Sequence, residues 1–148
     1  MNKVIHLSER LWCDQERAFA HFIKDDLIQT WLCPIANVDP VVGGLYELFW
    51  DPEDLGSNST RGCRITAIAQ PQLICFEWKS PSQFAYFANR TDPLTHVMIA
   101  LVPDGKETVV HVVHSGWRGT PEWEEARTWQ VRAWAGALTR LRTLINGC

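Results

Sequence analysis

The sequence predicts an α+β fold, with a curved antiparallel sheet of about six to seven strands around one long C-terminal helix and two short helices after the first strand. Three observations carry this. Strand-like and helix-like stretches are segregated along the chain rather than alternating. The middle of the chain holds runs of two-residue period bounded by turn residues. Residues 121–145 repeat apolar side chains at three- and four-residue steps without a break.

The elements follow in order. Residues 3–11, KVIHLSERL, alternate around Ile5 and Leu7 and read as a first strand. Asp14 is placed to cap a short helix, DQERAFAHFI, and residues 25–32, DDLIQTWL, form a second one that stops before Pro34. After Gly43-Gly44, the run 45–50, LYELFW, puts Tyr46, Leu48 and Trp50 on one face. DPEDLGSNSTRG is a polar loop. CRITAIA at 63–69 and LICFEW at 73–78 are strands, the latter with Ile74, Phe76 and Trp78 in phase. Residues 79–93 form a long connection carrying Phe84, Tyr86 and Phe87.

The strands THVMIALV at 95–102 and ETVVHVVHS at 107–115 make a hairpin through Asp104-Gly105. Pairing Pro103 with Lys106 sets Ile99 opposite Val110, Val97 opposite Val112 and Thr95 opposite His114. Thr120 then caps the final helix, with Pro121 at its first position and Glu122, Glu124 and Glu125 near its positive end. About 25 residues of helix span nearly 40 Å, enough to cross a small sheet. A curved sheet needs its concave face filled, and this helix is the one element long enough to fill it.

Composition bounds the function classes. One domain, 1–148, suffices for a chain of this length. A net charge of −3 gives no basic footprint for nucleic acid. No apolar run is long enough for a membrane span, and MNKVIHLSER does not read as a signal peptide. The five cysteines, Cys13, Cys33, Cys63, Cys75 and Cys148, are scattered without a C-x-x-C pair, so they read as reduced thiols of a cytoplasmic protein.

Several motifs in sequence order resemble a known family. They are Trp31-Leu32 with Pro34, Val38-Asp39-Pro40, Gly43-Gly44-x-Tyr46, Gly62, Pro71, Phe76-Glu77-Trp78, Thr108, and His114-Ser115-Gly116-Trp117 before a Trp-rich helix. Together they resemble the domain shared with the activator of the ninety-kilodalton heat-shock-protein ATPase, over residues 3–146. That domain falls in the START-like, birch-pollen-allergen-like (SRPBCC) superfamily. The resemblance implies a helix-grip fold with a cavity for apolar small molecules. Some members are cyclases or hydratases, some carry lipids, and one branch stimulates a chaperone. No catalytic set is shared by the family, so none is carried over. The 79–93 connection is longer than the family pattern.

The expected cavity lining is Trp31, Tyr46, Leu48, Trp50, Phe76, Trp78, Val97, Ile99, Val110, Val112, His114 and Trp134. The leading expectation is therefore an apolar ligand, with no cofactor and no metal. A cyclase- or hydratase-type enzyme would use His114 as acid or base. A chaperone-contacting module would instead show an external patch. His114 has no visible polar partner in the chain, so bracing of the following helix is preferred for it. His111 and His114 point to opposite faces and cannot share an ion, whereas His96 and His111 could approach diagonally without a third ligand. Glu47 and Glu77 stand alone. The aromatic 79–93 connection is expected to cover the cavity mouth or a homodimer contact.

Overall fold

A computed structural model describes residues 3–147; Cys148 lies outside the described residues. The first strand, β1, is Ile5–Leu11, followed by α1 (Gln15–Ile23) and α2 (Asp25–Ile28). Five more strands and a long hairpin strand complete the sheets: β2 (Ile35–Val38), β3 (Tyr46–Phe49), β4 (Ile65–Ala69), β5 (Leu73–Trp78), β6 (Thr95–Asp104) and β7 (Glu107–Ser115). A 3-10 turn at Ser82–Phe84 and a single helical turn, α3 (Ala85–Ala88), interrupt the connection between β5 and β6. The chain closes with α4, Pro121–Asn146.

Local chemistry explains the boundaries. Asp14 accepts from the Arg17 amide at 2.8 Å and starts α1. Thr120 does the same for Trp123 at 3.4 Å, with Pro121 where its missing N–H costs nothing. The second helix is shorter than its periodicity predicts: it ends at Ile28, and Gln29 leaves it to accept from the Ala36 amide at 3.0 Å. That bond fixes β2, a strand not expected from the sequence, beside β3.

All strand pairs are antiparallel. The main sheet runs β1-β7-β6-β5-β4, and β2-β3 form a second, two-stranded sheet. The two are stitched where the Tyr46 amide donates to Cys63 O and the Ile65 amide to Gly44 O, both at 2.8 Å. In the β6–β7 hairpin the turn is Gly105-Lys106, one residue later than expected, with Asp104 opposite Glu107. Gly105, at φ +62°, supplies the positive φ such a turn needs at its first central residue. The pairing therefore slides by two: Ile99 faces Val112, Val97 faces His114 and Leu101 faces Val110. A slide of two preserves the faces, so Val97, Ile99, Val110, Val112 and His114 all point inward as the alternation required.

The core lies between this face and α4, whose Trp134, Ala137, Leu138, Leu141 and Ile145 are buried against it. Phe19 and Phe22 of α1 close the far end. The first half of α4 builds a second cluster, in which Trp123 and Ala126 pack with Ile5, Phe84, Ala88 and Trp117. The aromatic connection is thus accounted for within the chain: Phe87 sits edge-on to Trp123 at 5.2 Å and Phe84 edge-on to Trp129 at 6.2 Å. Tyr86 alone stays exposed, donating its hydroxyl to Glu122 at 2.7 Å.

The turn before β3 is the tightest backbone passage. A Cβ on Gly44 would lie 2.1 Å from Asp39 O and 3.0 Å from Val41 O, both backbone atoms that cannot swing away. Gly43, at φ +83°, has open space around it and needs only the positive φ. Gly44→Ala should therefore cost at least about 2 kcal/mol by overpacking, and Gly43→Ala about 1 kcal/mol. Urea unfolding of the two variants checks the order; a Gly44→Ala cost no larger than that of Gly43→Ala would mean that the Asp39–Val41 backbone yields to the added methyl.

Candidate functional site

The buried polar centre of the molecule is His114, fully enclosed near the end of β7. The Trp134 indole Nε1 donates to its Nδ1 at 3.1 Å. An indole N–H only donates, so Nδ1 must be the unprotonated nitrogen. Nε2 therefore carries the proton and meets Thr95 Oγ1 at 3.1 Å. Trp117 Nε1 donates to the His114 carbonyl at 3.1 Å. Both ring nitrogens are occupied and the imidazole is packed among Trp78, Trp117 and Trp134. The polar partners missing from the linear sequence thus come from β6 and α4. Burial, reinforced by the charge of nearby His96, holds the His114 pKa far down, at about 3. A neutral imidazole with a committed lone pair braces the helix and is not poised to take a proton.

Beside this closed centre, an open cleft of about 430 Å³ runs between α4 and the loops that follow β3 and β5. Its floor on α4 is made of small residues, Ala133, Gly136 and Ala137. Positions 129, 133, 136 and 140 fall on one helical stripe, so Trp129 and Arg140 mark the two ends, about 16 Å apart along the axis. Trp50 and Trp78 form the facing wall, their rings edge-to-face at 5.7 Å. Trp50 is anchored by donation from Nε1 to Leu32 O at 2.9 Å, and Trp78 by donation to Gln130 Oε1 at 3.3 Å. Trp50 and Trp129 keep 36% and 40% of their surface exposed, so both present aromatic faces to the opening.

Of the twelve residues expected to line a cavity, Trp50, Trp78 and Trp134 border this cleft. Trp31, Tyr46, Leu48, Phe76, Val97, Ile99, Val110, Val112 and His114 are packed in the closed interior instead. Tyr46 stacks on Phe76 at 3.8 Å and donates its hydroxyl to Phe22 O at 2.6 Å. Trp31 donates to His21 O at 3.0 Å. The reason is that α4 lies directly on the β5–β7 face and fills the concavity there. The open volume is displaced toward the loops beyond β3 and β5. Sequence phasing identified which side chains point inward but not where the helix rests. Trp129, which reads from the sequence with Trp50, Trp78 and Trp134 as core or pocket wall, borders the cleft, and Ala133 belongs to the apolar recurrence of the helix; nothing in the sequence sets Gly136 and Arg140 apart as cleft residues.

The remaining chemistry-bearing side chains serve the fold. Burial raises the thiols of Cys33 and Cys63 to about 12, and also raises those of Cys13 and Cys75. Glu77 accepts from the Arg64 amide at 2.9 Å, and Glu47 accepts from Gly62 and Asn37. His96 and His111 are not diagonal neighbours, since His96 faces Ser115 and His111 faces Ala100. His111 stacks instead on His6, with Nε2 of His6 3.0 Å from its Nδ1. No group of three metal-ligating side chains occurs among the described residues. None of their helices is long and apolar enough to cross a membrane.

The His114 environment has a measurable consequence. In the unfolded chain this imidazole takes a proton as pH falls through about 6.5, while in the folded chain it stays neutral to about 3. The unfolded state then binds more protons, so His114 favours folding above the upper value and this contribution is lost as pH falls through the window, by up to about 1.4 kcal/mol per pH unit. Urea unfolding across pH 4–7.5 should show this slope reduced in His114→Gln, which retains one donor and one acceptor. Trp134→Phe should cost about 1–3 kcal/mol through the unsatisfied Nδ1, beyond any change in packing.

The fold has close structural relatives. A Mesorhizobium loti protein superposes with a TM-score of 0.75 at 17% identity, over 97% of each chain. An Hsp90 activator from Plasmodium falciparum gives 0.74 at 20% identity, over 97% of this chain and 96% of that one. The Aha1 dimer from Colwellia psychrerythraea gives 0.72 at 16% identity, again over 97% and 96%. At these identities the likeness establishes the fold alone. Comparison with curated proteins finds no match. The family model described as Activator of Hsp90 ATPase homolog 1-like protein matches residues 13–146, and the chain belongs to that family.

Proposed function

We propose that residues 1–148 act as one START-like domain in the cytoplasm that binds an apolar small molecule in the cleft beside α4. The observation that carries this is the cleft itself. Its volume of about 430 Å³ falls within the usual range for small-molecule sites, about 300–1,000 Å³, and it is walled by tryptophans. Its floor is bare. Gly136 sits inside a 26-residue helix, where glycine costs about 0.5–1 kcal/mol relative to alanine. A Cβ there would meet only Arg140 Nη1 at an ordinary 3.6 Å. Packing therefore does not demand the glycine, whereas an open floor does.

Retention suits this site better than turnover. A cyclase or hydratase needs an acid and a base converging on the ligand. His114 is sealed behind Trp78 and Trp134 with both nitrogens engaged, and no carboxylate lines the cleft among the described residues. The structural relative that activates Hsp90 motivates a chaperone-contact reading as the alternative.

Gly136→Ala and Gly136→Leu separate space from stability. Both should melt higher than the natural protein, Gly136→Ala by about 0.5–1 kcal/mol in unfolding free energy. Gly136→Leu should lose binding of apolar probes because its side chain occupies the floor. Binding is read by quenching of Trp50 and Trp129 fluorescence and by thermal shift. Unchanged probe binding in a stably folded Gly136→Leu would remove the cleft from consideration. Native mass spectrometry of gently purified protein should show a retained small molecule.

A further inference from the structure

The cleft is apolar in its walls but one-sided in its polar groups. Lys79, Arg132 and Arg140 border it and no acidic side chain among the described residues does, in a chain whose net charge is −3. The ion pairs of the described residues engage Lys3, Arg10, Arg127 and Arg142, and none engages these three cations. Two of them are held in place by backbone carbonyls rather than by counter-charges. Lys79 Nζ donates to Arg61 O at 2.7 Å, and Arg140 Nε donates to Trp31 O at 2.9 Å. Each keeps further N–H groups free while its position is set, so little ordering remains to be done on binding.

The neutral amides have the same polarity. Trp78 can only donate, so the oxygen of Gln130 must face it and the Gln130 Nε2 group is left over. No protein acceptor takes that group among the described residues, and no buried side-chain nitrogen or oxygen is left without a partner, so it is open at the cleft wall. Asn58 is fixed likewise. Its Oδ1 accepts from the Ser82 amide at 2.9 Å and hydroxyl at 2.7 Å, which leaves its Nδ2 as a donor at the cleft. Five side chains of the lining thus offer donors, four of them held in place by hydrogen bonds and Arg132 free, with no carboxylate among the described residues to answer them.

We propose that the cleft selects a flat apolar anion: a ring system held between Trp50 and Trp129 over the small-residue floor, carrying a carboxylate or sulfonate that accepts from these donors. This rests on the ligand-binding reading and narrows it to acidic ligands. Burying an apolar molecule beside unanswered cations is costly when the molecule is neutral, and charge-assisted hydrogen bonds offset that cost when it is an anion.

A matched pair of fluorescent probes tests it. 1-Anilinonaphthalene-8-sulfonate and N-phenyl-1-naphthylamine share the same aromatic skeleton and differ by the sulfonate. Each is titrated at low salt into the natural protein, Arg132→Gln, Arg140→Gln and Gly136→Leu, with near-ultraviolet circular dichroism confirming native packing. Arg132 is exposed and makes no side-chain hydrogen bond among the described residues, so its variant keeps the fold even if Arg140→Gln loosens the Trp31 contact. We expect both probes to bind the natural protein and to be displaced by Gly136→Leu. The sulfonate should weaken by up to about fivefold per removed charge, and also with added salt, while the neutral probe changes less than about twofold. Equal responses of the two probes, with both still lost in Gly136→Leu, would overturn the anion proposal and leave the ligand-binding reading standing. Failure of both probes to bind the natural protein would overturn both.

Discussion

The contact between Trp134 and His114 sets where everything else can be. A 26-residue helix laid over a five-stranded sheet has many apolar ways to settle, because dispersion contacts are individually weak and tolerant of small slides. A buried indole N–H has few. It must find an acceptor, and His114 Nδ1 is the one it meets, 3.1 Å away. That bond fixes both the axial position and the rotation of α4. It also fixes the imidazole tautomer, and through Nε2 it ties β6 to β7 by way of Thr95. Sliding the helix by one turn would strand two buried polar groups at once, each costing about 1–3 kcal/mol.

Once the helix is pinned, the distribution of closed and open space follows. Over β5 and β7 Trp134 of α4 meets Trp78 and His114, and the apolar stripe of the helix shares one buried cluster with Phe76, Ile99 and Val112, so the concavity is filled there. Toward the loops after β3 and β5 the sheet turns away. There the helix presents alanine and glycine, and Trp50 reaches over from β3's end to Leu32 O instead of packing down. The cleft is therefore bordered by the same Trp78 and Trp134 that seal the His114 chamber, one pair of rings serving as wall on both sides.

Much of this arrangement was legible from residue patterns. Alternation in β5, β6 and β7 placed the correct side chains inward even though the hairpin turn sits one residue later than expected, because a slide of two preserves the faces. The long helix and its cap were readable from Thr120-Pro121 and the apolar steps that follow. Three things were not legible. Strand β2 is only four residues long and exists because Gln29 and β3 hold it, an interaction without local signature. The aromatic connection was expected to cover the cavity mouth or a homodimer contact; its Lys79, Pro81 and Gln83 do border the cleft, but the way Phe84 and Phe87 find Trp129 and Trp123 across 30 or more residues of sequence had no local sign. The open site shares only Trp50, Trp78 and Trp134 with the expected lining, since periodicity reports which faces are apolar and not how far apart two faces come to rest.

The helix itself shows why these readings diverge. On α4, Gln130, Trp134 and Ala137 are buried and also border the cleft, whereas Ala133, Gly136 and Arg140 border it from the more exposed side. A core stripe and a binding stripe thus overlap along one edge of a single cylinder. Stability selects large apolar residues on the first stripe. An open floor needs small ones on the second, at a propensity cost of up to about 1 kcal/mol at Gly136. At the shared edge a residue must satisfy both demands, and Gln130 does so by splitting its amide: the oxygen serves Trp78 in the core and the nitrogen faces the opening. An apolar residue there would leave the Trp78 indole unpaired, and a carboxylate would place an acid among three cations. An amide answers the indole and still leaves a donor facing the cleft.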